Sequence, residues 1–291
     1  MRIARAPEEL PAGRRAVALG TFDGVHRGHR RVLDAARAND GLVSTAVTFW
    51  PHPRTGLGNR VELLTSLERR LELLAAAGVD EAFVVEFSPD LARLTPEEFA
   101  ERVLRPIGTE VVAAGANFRF GRGRAGDLDL LARLGFDVRP VELADGISSS
   151  EIRHLLLAGD IGRATQALGR PPEVEGTVVA GDQRGGTLGY PTANIDVDPA
   201  LLVPAYGIYA GAANGNRAAI SIGTNPHYGG QERRVEAFLL DFAGDLYGRR
   251  LVVELWTRLR EERAFASEAE LVEQIGRDVE AARQAMPPTG S

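Results

Sequence analysis

Gly20-Thr21-Phe22-Asp23-Gly24-Val25-His26-Arg27-Gly28-His29 follows the apolar run Ala16-Val17-Ala18-Leu19 and leads into Arg30-Arg31-Val32-Leu33-Asp34-Ala35-Ala36-Arg37, where apolar residues recur at helical spacing. A buried strand, a glycine-rich turn and a helix start bring backbone N–H groups and the positive end of a helix to one place, where an anion can sit. His26 and His29 stand at that mouth, with Gly28 between them allowing close approach to the backbone. The stretch reads as a triphosphate cradle. Two other readings stay open on these residues alone: half of a zinc site, with Asp23 in place of the absent cysteines, or a plain strand-to-helix turn.

The surrounding chain supports a soluble, two-domain protein. Its 291 residues are 44% hydrophobic and 25% charged, ordinary for globular chains of two moderate cores. A net charge of −6 argues against nucleic acid or an anionic membrane as partner, so phosphate recognition has to be local. With no cysteine, and with a start lacking an apolar signal core, a cytoplasmic location is expected. Oligomeric state is not legible. Lysine is absent altogether, so all 34 basic residues are arginine. A Walker-A loop, a protein-kinase strand lysine and a pyridoxal Schiff base each need a lysine amine, and all three are excluded. Any phosphoryl chemistry must draw on arginine, imidazole, backbone N–H and a metal ion.

Strand-like runs near 14–20, 43–49, 82–87, 110–115 and 137–143 alternate with helix-like segments 67–74, 96–104 and 127–134. That alternation predicts a parallel sheet covered on both faces, with ligands beyond the carboxyl ends of its strands, where residues 20–29 fall. Past a Gly/Pro break near residue 169 the pattern changes to short strands near 173–180, 206–212, 217–223, 233–242 and 249–257, separated by turns such as Asn214-Gly215, Tyr228-Gly229-Gly230 and Ala243-Gly244-Asp245. These predict an antiparallel β-barrel, crossed by an amphipathic helix over 267–285. The expected fold is therefore α/β plus β, over domains 1–168 and 169–291.

Five further stretches carry candidate chemistry. Thr48-Phe49-Trp50-Pro51-His52-Pro53 ends the second strand in a rigid turn, and a plain strand exit explains it equally well. Gly115-Ala116-Asn117-Phe118-Arg119-Phe120-Gly121-Arg122-Gly123-Arg124 offers rings to stack on a heterocycle and arginines for phosphate, or a merely solvated loop. Ser148-Ser149-Ser150-Glu151-Ile152-Arg153 opens a helix; one serine is explained as its cap, and the set can hold an anion. In the second half, Gly181-Asp182 and Gly185-Gly186-Thr187-Leu188-Gly189-Tyr190-Pro191-Thr192-Ala193-Asn194 combine phosphate-cradling glycines with hydroxyl and amide oxygens suited to Mg²⁺, or form a mobile barrel loop. Glu236, in Arg233-Arg234-Val235-Glu236, can accept a proton from a substrate hydroxyl or pair with a neighbouring arginine.

G-x-F-D-G-x-H-x-G-H resembles the H-x-G-H signature of the nucleotidyltransferase superfamily, in the longer form carried by prokaryotic bifunctional riboflavin kinase/FAD synthetases. T-F-x-P-H-P, G-x-[ND]-F-x-F-G, I-S-S-T-x-I-R, Pro-Thr-Ala-Asn and V-E-x-x-x-x-D-F are similar to further motifs of that family, in the same order. The resemblance implies a Rossmann-like nucleotidyltransferase domain that adenylylates FMN to FAD, then a barrel domain that phosphorylates riboflavin to FMN, both with ATP and Mg²⁺. In the first domain it implies that His26 and His29 donate to the α- and β-phosphates of ATP. Gly20, Phe22, Asp23, Gly24, Gly28 and Asn117 then line the nucleotide site, with Ser148, Ser149, Ser150 and Arg153 holding pyrophosphate. In the second, Gly181, Gly186 and Gly189 cradle the nucleotide, Thr192 and Asn194 engage Mg²⁺, and Glu236 is the catalytic base. Departures are Trp50 where the family carries an acidic residue, Ser150 for threonine, and Thr224-Asn225-Pro226-His227 where it often carries Arg-Pro-Thr; His227 receives no role. H-x-G-H is shared with aminoacyl-tRNA synthetases, whose lysine-containing second motif cannot exist here. Two competitors remain: another small-molecule nucleotidyltransferase whose barrel only senses ligand, and a flavin-binding regulator without turnover.

Overall fold

The computed structural model describes residues 1–142, 147–180, 190–224 and 233–288. The chain separates into two compact units, Met1–Ser149 and Ser150–Ser291. The change in sequence pattern lies later, near residue 169. Between the two points run α7 (Ser149–Ala158) and α8 (Ile161–Leu168), the latter packed on a barrel strand.

The first unit is a six-stranded parallel sheet in the order β1-β4-β3-β2-β5-β6, from Arg2–Ala4, Arg15–Leu19, Val43–Trp50, Glu81–Glu86, Thr109–Gly115 and Asp137–Val141 for β1 to β6. Helices α1 (Arg27–Arg37), α2 (Pro53–Gly56), α3 (Leu67–Ala76), α4 (Pro89–Arg93), α5 (Pro96–Phe99) and α6 (Leu128–Arg133) connect them. β2 is buried at every position, as a central parallel strand must be. Its side chains alternate: Val17 and Leu19 enter one core with Phe49, Phe99 and Leu131, while Ala16 and Ala18 enter the other with Val32, Leu33 and Leu74. The small residues on that second face let α1 lie close. From β2 the chain passes to β3 on one side and later returns to β5 on the other. The order thus reverses at the carboxyl ends of β2 and β5, where such sheets leave a binding crevice.

The opposite end of this sheet is held by charge. Arg15 and Glu81, both buried, meet at 2.7 Å, and Arg15 also donates to the carbonyls of Pro11 and Ile107 at 2.7 Å each. Glu81→Ala leaves that guanidinium without its counter-charge and is expected to cost about 3–5 kcal/mol, read by urea denaturation of the first unit. A loss under ~1 kcal/mol would show that the two carbonyls suffice.

The second unit is a closed antiparallel barrel, β10-β11-β8-β7-β12-β9, from Glu173–Val179 (β7), Ala193–Asp196 (β8), Gly207–Ala213 (β9), Asn216–Thr224 (β10), Arg233–Leu239 (β11) and Arg250–Arg260 (β12). Helix α9 (Glu268–Gln284) lies against β9 and β10. Arg217 anchors its end by donating to the carbonyls of Ala282 and Arg283, and Arg260 forks onto Asp278 at 2.7–3.1 Å.

The parallel sheet, the barrel and the closing helix are as the sequence predicts, with two strands it misses. β1 is three residues long, too short for periodicity to register. β8 occupies residues read as the end of a glycine loop; four residues of strand were hidden behind the glycine run, and the barrel needs them to close. Residue 143 of the predicted fifth strand, and the predicted Tyr228-Gly229-Gly230 turn, lie outside the described residues.

Candidate active sites

At the carboxyl end of β2 the chain turns through residues 20–26 into α1, and side chains from three other segments hold the turn. Thr48, on β3, donates its hydroxyl to the Thr21 carbonyl at 2.9 Å. The Asp23 carboxylate, wholly buried, accepts from the N–H groups of Leu64 and Thr65 at 3.0 and 3.1 Å. Thr65 Oγ1 in turn accepts the Gly24 N–H at 3.2 Å, and Ser149 donates to the Asp23 carbonyl at 2.9 Å. Phe22, Gly24 and Val25 all sit at positive φ (+52°, +83° and +38°), a run that holds only because its surroundings over-determine it. A Cβ at Gly24 would stand 2.7 Å from Leu64 Cδ1. Gly24→Ala is therefore expected to destabilise the first unit by about 1–3 kcal/mol and to disable its site, checked by urea titration alongside activity; unchanged stability would mean Leu64 yields freely.

His26 is the N-cap of α1. Its Nδ1 accepts the His29 N–H at 3.3 Å, so in the neutral ring the proton resides on Nε2, a donor. The two imidazoles stack, with centroids 3.6 Å apart and planes at 18°, and Phe22 meets His29 edge-on. His26 is buried, whereas His29 is half-buried with an Nδ1 that is shielded from solvent and, among the described residues, has no hydrogen-bond partner. Burial first, then the neighbouring His26 and Arg70, hold the His29 imidazole well below its usual value of 6.5. His29 is thus a neutral ring stacked on His26, and it carries an N–H donor.

The zinc alternative fares differently. Asp23, which it requires as a ligand, spends its carboxylate on Leu64 and Thr65, and among the described residues no group of three His, Cys, Asp or Glu is placed to hold a metal ion. Two of the expected anion donors also have protein partners: the N–H of Gly24 goes to Thr65 and that of His29 to His26.

The remaining stretches of this unit divide between support and exposure. His52 caps α2 by accepting the Arg54 N–H at 3.2 Å. In the loop after β5, Asn117 is exposed at the carboxyl end of the strand, whereas Phe120 is buried against Phe99 and Arg119 is tied to Asp127 at 2.8 Å. That loop shapes the crevice rim; its second ring belongs to the core, not to a free stacking surface. Ser148 and Ser150 are exposed around the start of α7, and Arg153 lies on its first turn, half-buried. Gly20 ends β2, its N–H donating to the Val47 carbonyl at 3.2 Å, and Gly28 is buried in the first turn of α1.

The second constellation is on the barrel. Alternation along β8 and β11 sends Ala193, Ile195, Val235 and Ala237 inward and leaves Asn194 and Glu236 on the other face, directly opposite one another in the ladder. Thr192 donates its hydroxyl to Glu236 Oε2 at 3.2 Å. Three residues, the outermost of them 44 positions apart in sequence, are thereby brought together: a hydroxyl, an amide and a carboxylate, all half-buried. Beside them, Phe238 and Tyr190 meet edge-on at 5.4 Å, a ring pair that only the strand register makes visible. Gly181, Gly186 and Gly189 lie outside the described residues, as does His227.

Comparison with known proteins shows which families the two parts of the chain match. Residues 10–151 match the FAD synthetase family and residues 168–286 the riboflavin kinase family. The chain is 36% identical to the bifunctional riboflavin kinase/FMN adenylyltransferase of Listeria monocytogenes, over 91% of its own length and 90% of that relative's. It is 35% identical to the protein of the same name from Bacillus subtilis, over 90% and 89%. A Streptococcus pneumoniae crystal structure bearing the name macrolide-efflux protein superposes with a TM-score of 0.87 at 29% identity, covering 98% of this chain and 99% of that one. Among the described residues, no helix is long and apolar enough to cross a membrane.

Proposed function

Since the chain belongs to the bifunctional riboflavin kinase/FMN adenylyltransferase family, we propose how its residues divide the two reactions. The enzyme phosphorylates riboflavin to FMN and adenylylates FMN to FAD. We assign the second step to residues 1–168 and the first to residues 169–291, separating them where the sequence pattern changes.

In adenylyl transfer an FMN phosphate oxygen attacks the α-phosphorus of ATP, the bond to the bridging oxygen breaks, and pyrophosphate leaves. Such chemistry needs position and neutralisation of developing charge more than any covalent partner. His26 and His29 donate N–H groups to the α- and β-phosphate oxygens. Gly20, Phe22 and Gly28 shape the cradle around them, with Asn117 at its rim. Ser148, Ser150 and Arg153 hold the leaving pyrophosphate, while Ser149, whose hydroxyl is given to Asp23, contributes to the turn as well. Asp23 and Gly24 act from beneath, the carboxylate and the N–H each being engaged inside the fold.

In the kinase step Glu236 accepts the proton of the riboflavin primary hydroxyl as its oxygen attacks the γ-phosphorus, and ADP leaves. The Thr192 hydroxyl and the Asn194 carbonyl are hard oxygen donors of the kind Mg²⁺ takes, with ATP oxygens completing its shell. When bound, the ion neutralises phosphate charge. Thr192 meanwhile orients the carboxylate.

The contact between Thr192 and Glu236, opposite Asn194, carries this reading most directly, because it joins two separate motifs of the sequence into one proton-accepting site. Incubating the pure chain with riboflavin, ATP and Mg²⁺ and resolving the flavins tests it. FMN and FAD together are expected; FMN alone would mean an inactive first unit, and neither would mean a flavin-binding regulator.

A further inference from the structure

Arg70 belongs to none of the motifs above, yet it is a fully buried charge near the nucleotide turn. It lies on α3 among Leu71, Leu73 and Leu74 and has no exposed surface. A guanidinium costs several kcal/mol to desolvate unless its surroundings answer it. Here they do: Asp23 Oδ1 lies 3.6 Å from Nη2, the Phe49 carbonyl accepts from Nη1 at 3.3 Å, and the Trp50 ring faces the cation at 5.4 Å. Each of these partners stands at the carboxyl end of β2 or β3, at the crevice.

We propose that Arg70 is a positioning residue for adenylyl transfer, which locks Asp23, and through it the turn carrying His26 and His29, against the ends of β2 and β3. The inference rests on the assignment of that turn to the adenylyl-transfer site. Three observations lead to it.

First, Asp23 is the point where the turn is tied down: its carboxylate takes two N–H groups and its carbonyl takes the Ser149 hydroxyl. A carboxylate buried at 0% exposure is costly without an opposite charge beside it, and Arg70 supplies that charge. Second, a buried ion pair is a weak source of stability, since apolar side chains of like volume do as well or better. What the pair supplies is direction: Nη1 donates to the Phe49 carbonyl at 3.3 Å while Nη2 faces Asp23 Oδ1 at 3.6 Å, so the guanidinium is aimed at both strand ends. Third, Trp50 stands where the resembling family carries an acid. A carboxylate there would compete with Asp23 for the guanidinium; an indole gives the cation a face to rest on and leaves the fork to Asp23 and Phe49. Arg70 also adds to the field that keeps His29 neutral, together with burial and His26.

The test uses the full chain, whose riboflavin kinase activity is an internal control. Arg70→Met is expected to lower kcat for FAD formation from FMN by roughly 10²-fold, as for sub-ångström to ångström misplacement of reacting groups. KM for ATP should change by less than about threefold, with FMN formation unaffected. Should Arg70→Met fail to fold, Arg70→Lys serves instead: it keeps a charge near Asp23 but not the fork, and a drop of about tenfold in kcat with unchanged KM is expected. If the folded variant retains kcat within threefold, or if the whole loss appears in KM, the proposal is overturned. Failure of wild-type protein to make FAD would instead overturn the assignment of the turn and leave Arg70 aside.

Discussion

His29→Ala abolishes FAD formation and leaves FMN formation at its wild-type rate. The expectation follows from where the ring sits: on the first turn of α1, stacked on His26 and braced by the edge of Phe22, with a shielded Nδ1 that no group among the described residues satisfies. A preorganised donor aimed at charge that develops in the transition state is worth about 10²–10³ in kcat. Alanine at position 29 also unstacks His26, whose Nδ1 keeps its bond to the residue-29 N–H but loses the ring that fixes its plane. The two losses act on one phosphate cluster, so the combined effect takes FAD below detection. The barrel, with its own carboxylate, does not respond. Loss of both activities from a folded His29→Ala chain would refute the division of labour.

The same substitution has a consequence for stability. Because burial holds the His29 imidazole well below 6.5 in the folded chain, the unfolded chain takes up a proton there that the folded chain refuses. Acid below about pH 6.5 therefore favours unfolding through this group, and the penalty grows until the folded-state value is reached. Urea midpoints at pH 7.5 and pH 5.5 should differ more for the wild type than for His29→Ala. Equal differences would mean that His29 titrates normally.

How much of this was visible in sequence depends on whether chemistry or support is in question. The strand–turn–helix was legible because a strand, a glycine turn and a helix start are contiguous, and because His26 and His29 are three apart, the spacing that lets an N-cap side chain reach the N–H of its third neighbour. What holds that turn was not legible. Thr65 and Arg70 lie some forty residues on, in a segment whose pattern reads only as an amphipathic helix, and nothing local distinguishes a buried arginine from a solvated one. Asp23 shows the limit from the other side: a carboxylate in a phosphate-binding motif suggests a ligand, whereas its partners turn it into the interior. On the barrel, Pro191-Thr192-Ala193-Asn194 read as a loop because glycines precede it, yet Ala193–Asp196 is a strand. That strand is what sets Asn194 opposite Glu236, a juxtaposition that depends on register and so on the closed fold.

Glu236→Ala gives the mirror-image result: riboflavin is no longer converted to FMN, while FMN supplied from outside is still adenylylated to FAD. A carboxylate placed to accept a hydroxyl proton contributes about 10²–10⁴ to rate. Two features place Glu236 for that task. It is half-buried on the barrel's outer face, so a substrate hydroxyl can reach it, and Thr192 donates to Oε2, which leaves Oε1 for the substrate. Removing the side chain also deprives Thr192 of its acceptor, next to the oxygens assigned to Mg²⁺, so the alanine variant combines loss of the base with loosening of the metal's hydroxyl ligand. Glu236→Gln separates the two. The amide keeps an oxygen for Thr192 but cannot take a proton, so kcat should fall nearly as far as in alanine while KM for ATP stays close to wild type. If glutamine restores phosphorylation to within tenfold, Glu236 orders the site through Thr192 and another group, or water, receives the proton. If both variants also lose adenylylation of added FMN, the two reactions do not belong to separate parts of the chain.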